Sequence, residues 1–140
     1  MNKIIKRYST LAETNENLSC GKAIEFTPIK QGDICLDLGC GIGANTKHMA
    51  SKTGKMGYSI GIDITDIMLK KASKSIDKNT NYAFIHSDIE NIPLKNESVD
   101  VVISNCTFNH CIHKQSLWNE VYRILKPMTM VIVSDIYSHE

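Results

Sequence analysis

The sequence predicts an α/β fold: a doubly wound, mainly parallel sheet of about five strands with helices on both faces. Three observations predict it. Four apolar runs are continuous rather than alternating, as strands covered on both sides must be. Helix-patterned stretches stand between these runs, so successive strands are joined by crossover helices and run parallel. The first run ends in a glycine cluster that leads directly into a helical stretch.

Residues 1–30 read as helical, and "NENLSCGKAIEF" (15–26) is expected to pack over the top of the sheet. The first strand is "ICLDLG" (34–39), followed by the helical "ANTKHMASK" (44–52). The second is "YSIGID" (58–63). Its helix, "TDIMLKKASKSI" (65–76), has Thr65 as N-cap and Met68, Ala72 and Ile76 on one face. "YAFIHSD" (82–88) is a less apolar strand, and "VDVVISN" (99–105) a strongly apolar one. The helix "KQSLWNEVYRIL" (114–125) sets Leu117, Val121, Ile124 and Leu125 on one face and is stopped by Pro127. "MVIVSDI" (130–136) is the last strand.

The bulk numbers narrow the function. A chain of 140 residues with 42 % apolar and 22 % charged side chains holds one globular domain. A net charge of +1 gives no field towards nucleic acid or an anionic membrane, so neither is an expected partner. No apolar run approaches the ~20 residues of a spanning helix. The N-terminal stretch has basic residues but no apolar core, so no secretory signal is read. Five cysteines, an odd number, are read as reduced thiols of a cytoplasmic protein.

In doubly wound sheets, ligands bind outside the carboxyl ends of the strands. The first strand ends in "LDLGCGIGANT", with Gly39, Gly41 and Gly43 between strand and helix. A ligand can approach such a loop closely, and the helix start offers free N–H groups. The spacing fits a dinucleotide signature, G-x-G-x-x-A, and equally an S-adenosylmethionine pattern, an acid (Asp37) before G-x-G-x-G. Asp63 ends the second strand, twenty positions beyond Gly43, where a carboxylate can accept both hydroxyls of a ribose. Asp88 ends the third, placed either to accept from an adenine amino group or to lie solvated in a loop, with Ile89 against the ring in the first case. His86 and His48 read as packing residues. The fourth strand ends in "ISNCTFNHCIHK" (103–114), which puts Asn105 and Cys106 at the reacting end of a bound cofactor. The spacings C-x₄-C and H-x₂-H in that stretch do not suit a tetrahedral zinc site, so no metal is expected. Cys106 is left as a substrate-side thiol or a small buried residue. Cys35 and Cys40 read as packing and loop residues, and Cys111 and His113 fall on the loop or its helix entrance.

Taken in order, "LDLGCGIG", "GID", "SDIENIPL", "VDVVISN" and "EVYRILKP" resemble the class I S-adenosylmethionine-dependent methyltransferases, whose fold is Rossmann-like. The resemblance covers roughly residues 34–136. It implies S-adenosylmethionine as cofactor, held by Tyr8, Asp37, Gly39, Cys40, Gly41, Asp63, Ile64, Met68, Asp88, Ile89 and Asn105. Within that family, "ISNCTFNHCIHKQSLWNEVYRILKP" and "SDIYS" resemble the arsenite methyltransferases. That likeness implies that Cys106, and Cys20 after Tyr8, hold trivalent arsenic as thiolates. His110 is read from its place in the motif, apart from the likeness, as an aid to the nucleophile and as the base that a hydroxyl-bearing substrate would need.

Three departures accompany it. Gly21 follows Cys20 where the group usually carries a second cysteine, Met128 and Thr129 stand where it carries two glycines, and its third arsenic thiol lies past the fifth strand. The expected organisation is therefore a helical cap (1–30) and an S-adenosylmethionine-binding domain (31–140) without the family's C-terminal β-hairpin. An uncovered, apolar fifth strand is expected to self-associate or to meet a covering partner. The function that follows is methyl transfer to a small molecule, arsenite being the first candidate. The alternatives are a methyltransferase of the quinone or small-metabolite kind, or a cofactor-binding fragment that acts by association without turnover.

Overall fold

The computed structural model describes residues 23–105, 107 and 111–134. Tyr8, Cys20, Cys106 and His110 lie outside the described residues, as does most of the expected N-terminal cap. Its described end, Ala23–Phe26, is a single 3-10 turn.

Among the described residues, five strands form one sheet: β1 (Ile34–Leu38), β2 (Tyr58–Asp63), β3 (Tyr82–His86), β4 (Val99–Asn105) and β5 (Leu125–Ser134). Their order is β3-β2-β1-β4-β5, and every pairing is parallel. The chain winds from β1 outwards to β3, then crosses back to place β4 on the other side of β1. The carboxyl ends of β1 and β4 therefore flank the point where the winding reverses.

Three helices connect the strands: α1 (Ala44–Thr53), α2 (Asp66–Ala72) and α3 (Lys114–Ile124). The two-residue period of the central strands divides the core into two layers. Leu36, Leu38 and Val102 face α3, where they meet Leu117, Val121 and Ile124. Cys35, Val101 and Ile103 face the opposite side, where Met49 of α1 and Ala23 and Ile24 of the first turn cover them. The helices thus lie on both faces, as the continuous apolar runs require. Each buried aliphatic side chain of α3 contributes roughly 1.5–3 kcal/mol, so Leu117→Ala alone would remove a large part of the domain's stability.

The structure corrects four local expectations. The helix after β2 ends at Ala72, a 3-10 turn covers Ser73–Ser75, and Ile76 is extended and exposed rather than on the buried face with Met68 and Ala72. Thr65 stands at the N-cap of α2, yet its side chain makes no capping bond. Leu125 opens β5 instead of closing α3, because the residue before Pro127 is sterically barred from helix and the turn must come earlier. His48 and His86 are exposed, not packed.

Between α3 and the paired part of β5 the chain makes an excursion. Val99 pairs with Leu125 and Val101 with Met130, so Lys126, Pro127, Met128 and Thr129 bulge out. Met128 takes φ 66° there, a left-handed conformation unusual for a side chain with a β-carbon. It occupies the first of the two positions where the resembled group carries glycine.

Candidate functional site

The turn after β1 is built from backbone. The N–H groups of Gly39 and Cys40 both donate to Ile62 O, at 2.8 and 3.0 Å, which fastens the loop to β2. Gly39, Gly41 and Gly43 all have positive φ. They serve different ends. A β-carbon on Gly39 would collide with the Thr107 side chain, and one on Gly43 would stand 2.5 Å from the Phe84 ring. Those glycines admit the protein's own side chains. Among the described residues, a β-carbon on Gly41 would meet only Met68 Sδ, at 3.5 Å, an ordinary contact. Gly41 is therefore the position where the loop backbone stays open to something else.

Asp63, at the end of β2, is the hub. Its Oδ2 accepts from Gly41 N–H at 2.8 Å and its Oδ1 from Thr65 N–H at 2.8 Å. One carboxylate thus fixes both the glycine loop and the backbone just before α2, where Thr65 is the N-cap residue. The side chain is buried. An ionised carboxylate has about four lone-pair sites, so two bonds leave it able to accept more.

Asp37 lies within β1, buried beneath the same loop, and accepts a 3.0 Å bond from the hydroxyl of Thr46 on α1. Burial pushes its carboxyl up to about 7; the Thr46 hydrogen bond opposes the shift and the nearby Asp63 charge adds to it. Cys40 points into the same region, its thiol pushed up by burial and then by Asp37 and Asp63. Ile64 is half-buried and its carbonyl is bonded by His86 Nε2 at 2.9 Å. Met68 is fully buried against Gly41.

The segment after β3 joins this unit through its backbone, Ser87 N–H donating to Asp63 O at 3.0 Å. Asp88 Oδ1 accepts from Glu90 N–H at 2.9 Å, closing a tight turn with one carboxylate oxygen. Ile89 is buried in the core layer that includes Ile92 and Val99. Glu90 pairs with His113 Nδ1 at 3.0 Å, so the loop after β3 is tied to the N-cap of α3. Cys111, just before it, is buried, and its thiol is pushed up by burial and by the Glu90 charge.

At the end of β4, Asn105 Oδ1 accepts from Ala23 N–H at 3.1 Å, anchoring the first turn over the sheet. Asn105 Nδ2 is buried with no hydrogen-bond partner among the described residues. Thr107 Oγ1 donates to Leu38 O at 3.0 Å and fills the space left by Gly39.

Asp37, Gly39, Cys40, Gly41, Asp63 and Met68 therefore form one hydrogen-bonded and packed unit. Asp88 stands beside it on a linked segment, and Asn105 lies across the β1–β4 junction. Sequence reasoning missed Thr46 and Thr107. Neither has a local signal: their partners are β1 residues 9 and 69 positions away.

A family profile described as a methyltransferase domain matches residues 29–140. An arsenite methyltransferase of Halobacterium salinarum is 38 % identical over 121 residues, covering 85 % of this chain and 31 % of its own length. A ubiquinone/menaquinone biosynthesis C-methyltransferase of Ectopseudomonas mendocina is 31 % identical over 113 residues, covering 79 % of this chain and 44 % of its own. Among solved structures, an arsenic(III) S-adenosylmethionine methyltransferase from Chlamydomonas reinhardtii superposes with a TM-score of 0.81 at 28 % identity. It matches 95 % of this chain and 48 % of its own. The chain spans 31 to 48 % of the length of these relatives.

Proposed function

This chain belongs to the methyltransferase-domain family, and from that premise we propose that it binds S-adenosylmethionine across the carboxyl ends of β1, β2 and β3 and methylates a small molecule, arsenite held by cysteine thiolates. The observation that carries the cofactor half is the joining of Gly41 and Asp63. An open glycine backbone beside a carboxylate with spare lone pairs suits a ligand with a sugar diol. The buried, unpaired Nδ2 of Asn105 is a further donor in want of an acceptor at the same end of the sheet.

The bound cofactor supplies a methyl group on a sulfonium, for transfer by in-line displacement. This chain's residues do the rest. Gly41 gives close approach, Asp63 accepts from the ribose hydroxyls, and Asp88 accepts from the adenine amino group. Gly39, Cys40, Ile64, Met68 and Ile89 shape the walls, and Asp37 lies beneath as a buried acid. Tyr8 completes the cofactor set. Holding acceptor and methyl in line contributes much of the rate.

The acceptor half rests on the arsenite methyltransferases among the relatives and on the thiols assigned from sequence. Cys20 and Cys106 hold trivalent arsenic as thiolates, whose softness suits it, and His110 assists. Calorimetric titration tests the cofactor: S-adenosylmethionine or its demethylated product binds and NAD does not. A tighter response to NAD would overturn the assignment. Alkylation tests the acceptor: arsenite protects Cys20 and Cys106. Cys35 stays unreactive, since it is fully buried and its thiol is pushed up to about 12 by burial and the charges of Asp33 and Asp100.

A second reading, methylation of a quinone or similar metabolite, is favoured by the C-methyltransferase likeness. Turnover with arsenite against turnover with a quinol separates the two. β5 stands at an edge of the sheet among the described residues, and self-association through it is read out by light scattering.

A further inference from the structure

The Glu120–Arg123 pair on α3 grips the loop that carries Asp88. Arg123 Nε and Nη2 donate to the two carboxylate oxygens of Glu120, both at 2.9 Å. Its remaining N–H groups reach Ile92 O at 2.7 Å, Leu94 O at 2.7 Å and Asn96 Oδ1 at 2.9 Å. The planar fork thus has a partner for each of its five donors. Glu120 Oε2 accepts in turn from Ile92 N–H at 2.7 Å. Ile92 is therefore held at both its N–H and its C=O, four positions beyond Asp88.

Other contacts also fix this segment: Ile89 and Ile92 are buried in the core, Glu90 pairs with His113, and Asn91 N–H donates to Asp88 O at 3.2 Å. Ser87 N–H is bonded to Asp63 O at one end, and Glu97 N–H and Ser98 N–H reach Arg123 O and Ile124 O at the other. Between them the turn at Asp88 uses its own carboxylate. An exposed ion pair of i,i+3 spacing contributes little to stability by itself. This one is only partly exposed, at 32 and 19 % of the side chains, and it spends its hydrogen bonds on the backbone of another segment. Arg123 also holds the Glu120 carboxyl below its ordinary value, so both partners stay charged across the neutral range.

We propose that Arg123, with Glu120, is a positioning residue for base recognition: by clamping Ile92, Leu94 and Asn96 it holds the Asp88 carboxylate where it discriminates an amino-bearing purine from an oxo-bearing one. This rests on the reading of Asp88 as the acceptor for the adenine amino group. The clamp touches no ligand and acts through the 88–92 turn.

The test compares S-adenosylhomocysteine with S-inosylhomocysteine, which carries an oxo group in place of the amino group. The ratio of their dissociation constants is measured by calorimetry in each variant, so that any loss of folded protein affects both ligands equally. The wild-type chain should prefer the adenine ligand by on the order of tenfold or more, the worth of a hydrogen bond to a charged acceptor. Arg123→Lys and Glu120→Gln should bring the ratio to about threefold or less. Variants that weaken both ligands equally and keep the wild-type ratio would overturn the proposal. A wild-type chain that binds both ligands alike would remove the Asp88 reading, and this inference with it. One measurement needs no variant. In the wild-type chain, the adenine ligand should slow amide exchange at Ile92 well beyond what the hypoxanthine ligand does. Equal exchange at Ile92 with both ligands, in a protein that discriminates between them, counts against the clamp.

Discussion

Asp63 and Gly41, 22 positions apart in sequence, are joined by a 2.8 Å hydrogen bond from the glycine N–H to a carboxylate oxygen. The second oxygen of Asp63 holds Thr65 N–H at the same distance. The side chain that would receive a ribose is thus also the one that shapes the loop beside it, and loss of the carboxylate strikes both functions.

Asp63→Ala should accordingly destabilise the free protein, because two backbone donors lose their acceptor. At about 1–3 kcal/mol for each buried donor left unmade, the urea midpoint should fall clearly. The thermal shift produced by S-adenosylhomocysteine should vanish. Asp63→Asn should fall between, since one amide oxygen can replace only one of the two acceptors. An alanine variant as stable as wild type would show that neither bond contributes.

The glycines should separate by role. Gly43→Ala places a β-carbon 2.5 Å from the Phe84 ring and 3.1 Å from Ala72 Cβ. It should cost several kcal/mol, from overpacking of roughly 1–3 kcal/mol and from strain at φ 86°. Gly41→Ala meets no such neighbour, so its stability cost should be about 1 kcal/mol, that of a left-handed alanine. Cofactor affinity should nevertheless drop by tenfold or more. Urea melts and calorimetry on the same samples read the two effects apart.

Asp37 should make the free protein less stable as pH rises. Its folded-state value, about 7, lies above the ordinary 3.8. The unfolded chain therefore gives up this proton first. The contribution is complete below about pH 4 and is lost progressively up to and through pH 7. The full shift corresponds to roughly 4 kcal/mol, at about 1.4 kcal/mol per unit, as an upper bound. Asp37→Asn keeps an acceptor for Thr46 and carries no charge. The difference in stability between the two proteins should move in favour of the asparagine variant between pH 5 and pH 8. A difference that is flat over that range would refute the assignment.

Met128 should be improvable. It is fully exposed and sits at φ 66°, so its side chain packs against nothing and its backbone is strained. Met128→Gly should raise stability by about 0.5–1 kcal/mol, the left-handed penalty relieved less the extra freedom of glycine in the unfolded chain. The check is a higher urea midpoint at unchanged slope.

The order of strands and helices was legible in the sequence because it is written locally. Continuous apolar runs mark buried parallel strands, and a spacing of three to four marks the faces of α2 and α3. The glycine loop and the aspartates at the strand ends were legible for the same reason, since the topology puts every parallel strand end on one side. The misses were also local in origin. Helical periodicity ran past Ala72 to Ile76 and past Ile124 to Leu125, where a 3-10 turn and a proline-restricted turn took over. What only the tertiary structure decided depends on groups brought together from afar. Gly39 and Gly43 are spaces for Thr107 and Phe84, whereas Gly41 is open. Asp63 holds the N–H of Thr65 at the start of α2, Asp37 is an acid whose carboxyl is pushed up to about 7 by burial, and Arg123 of α3 reaches a loop about thirty residues earlier. Sequence spacing carries periodicity but not desolvation or the convergence of distant atoms, and those two physical quantities assign each residue at this site its work.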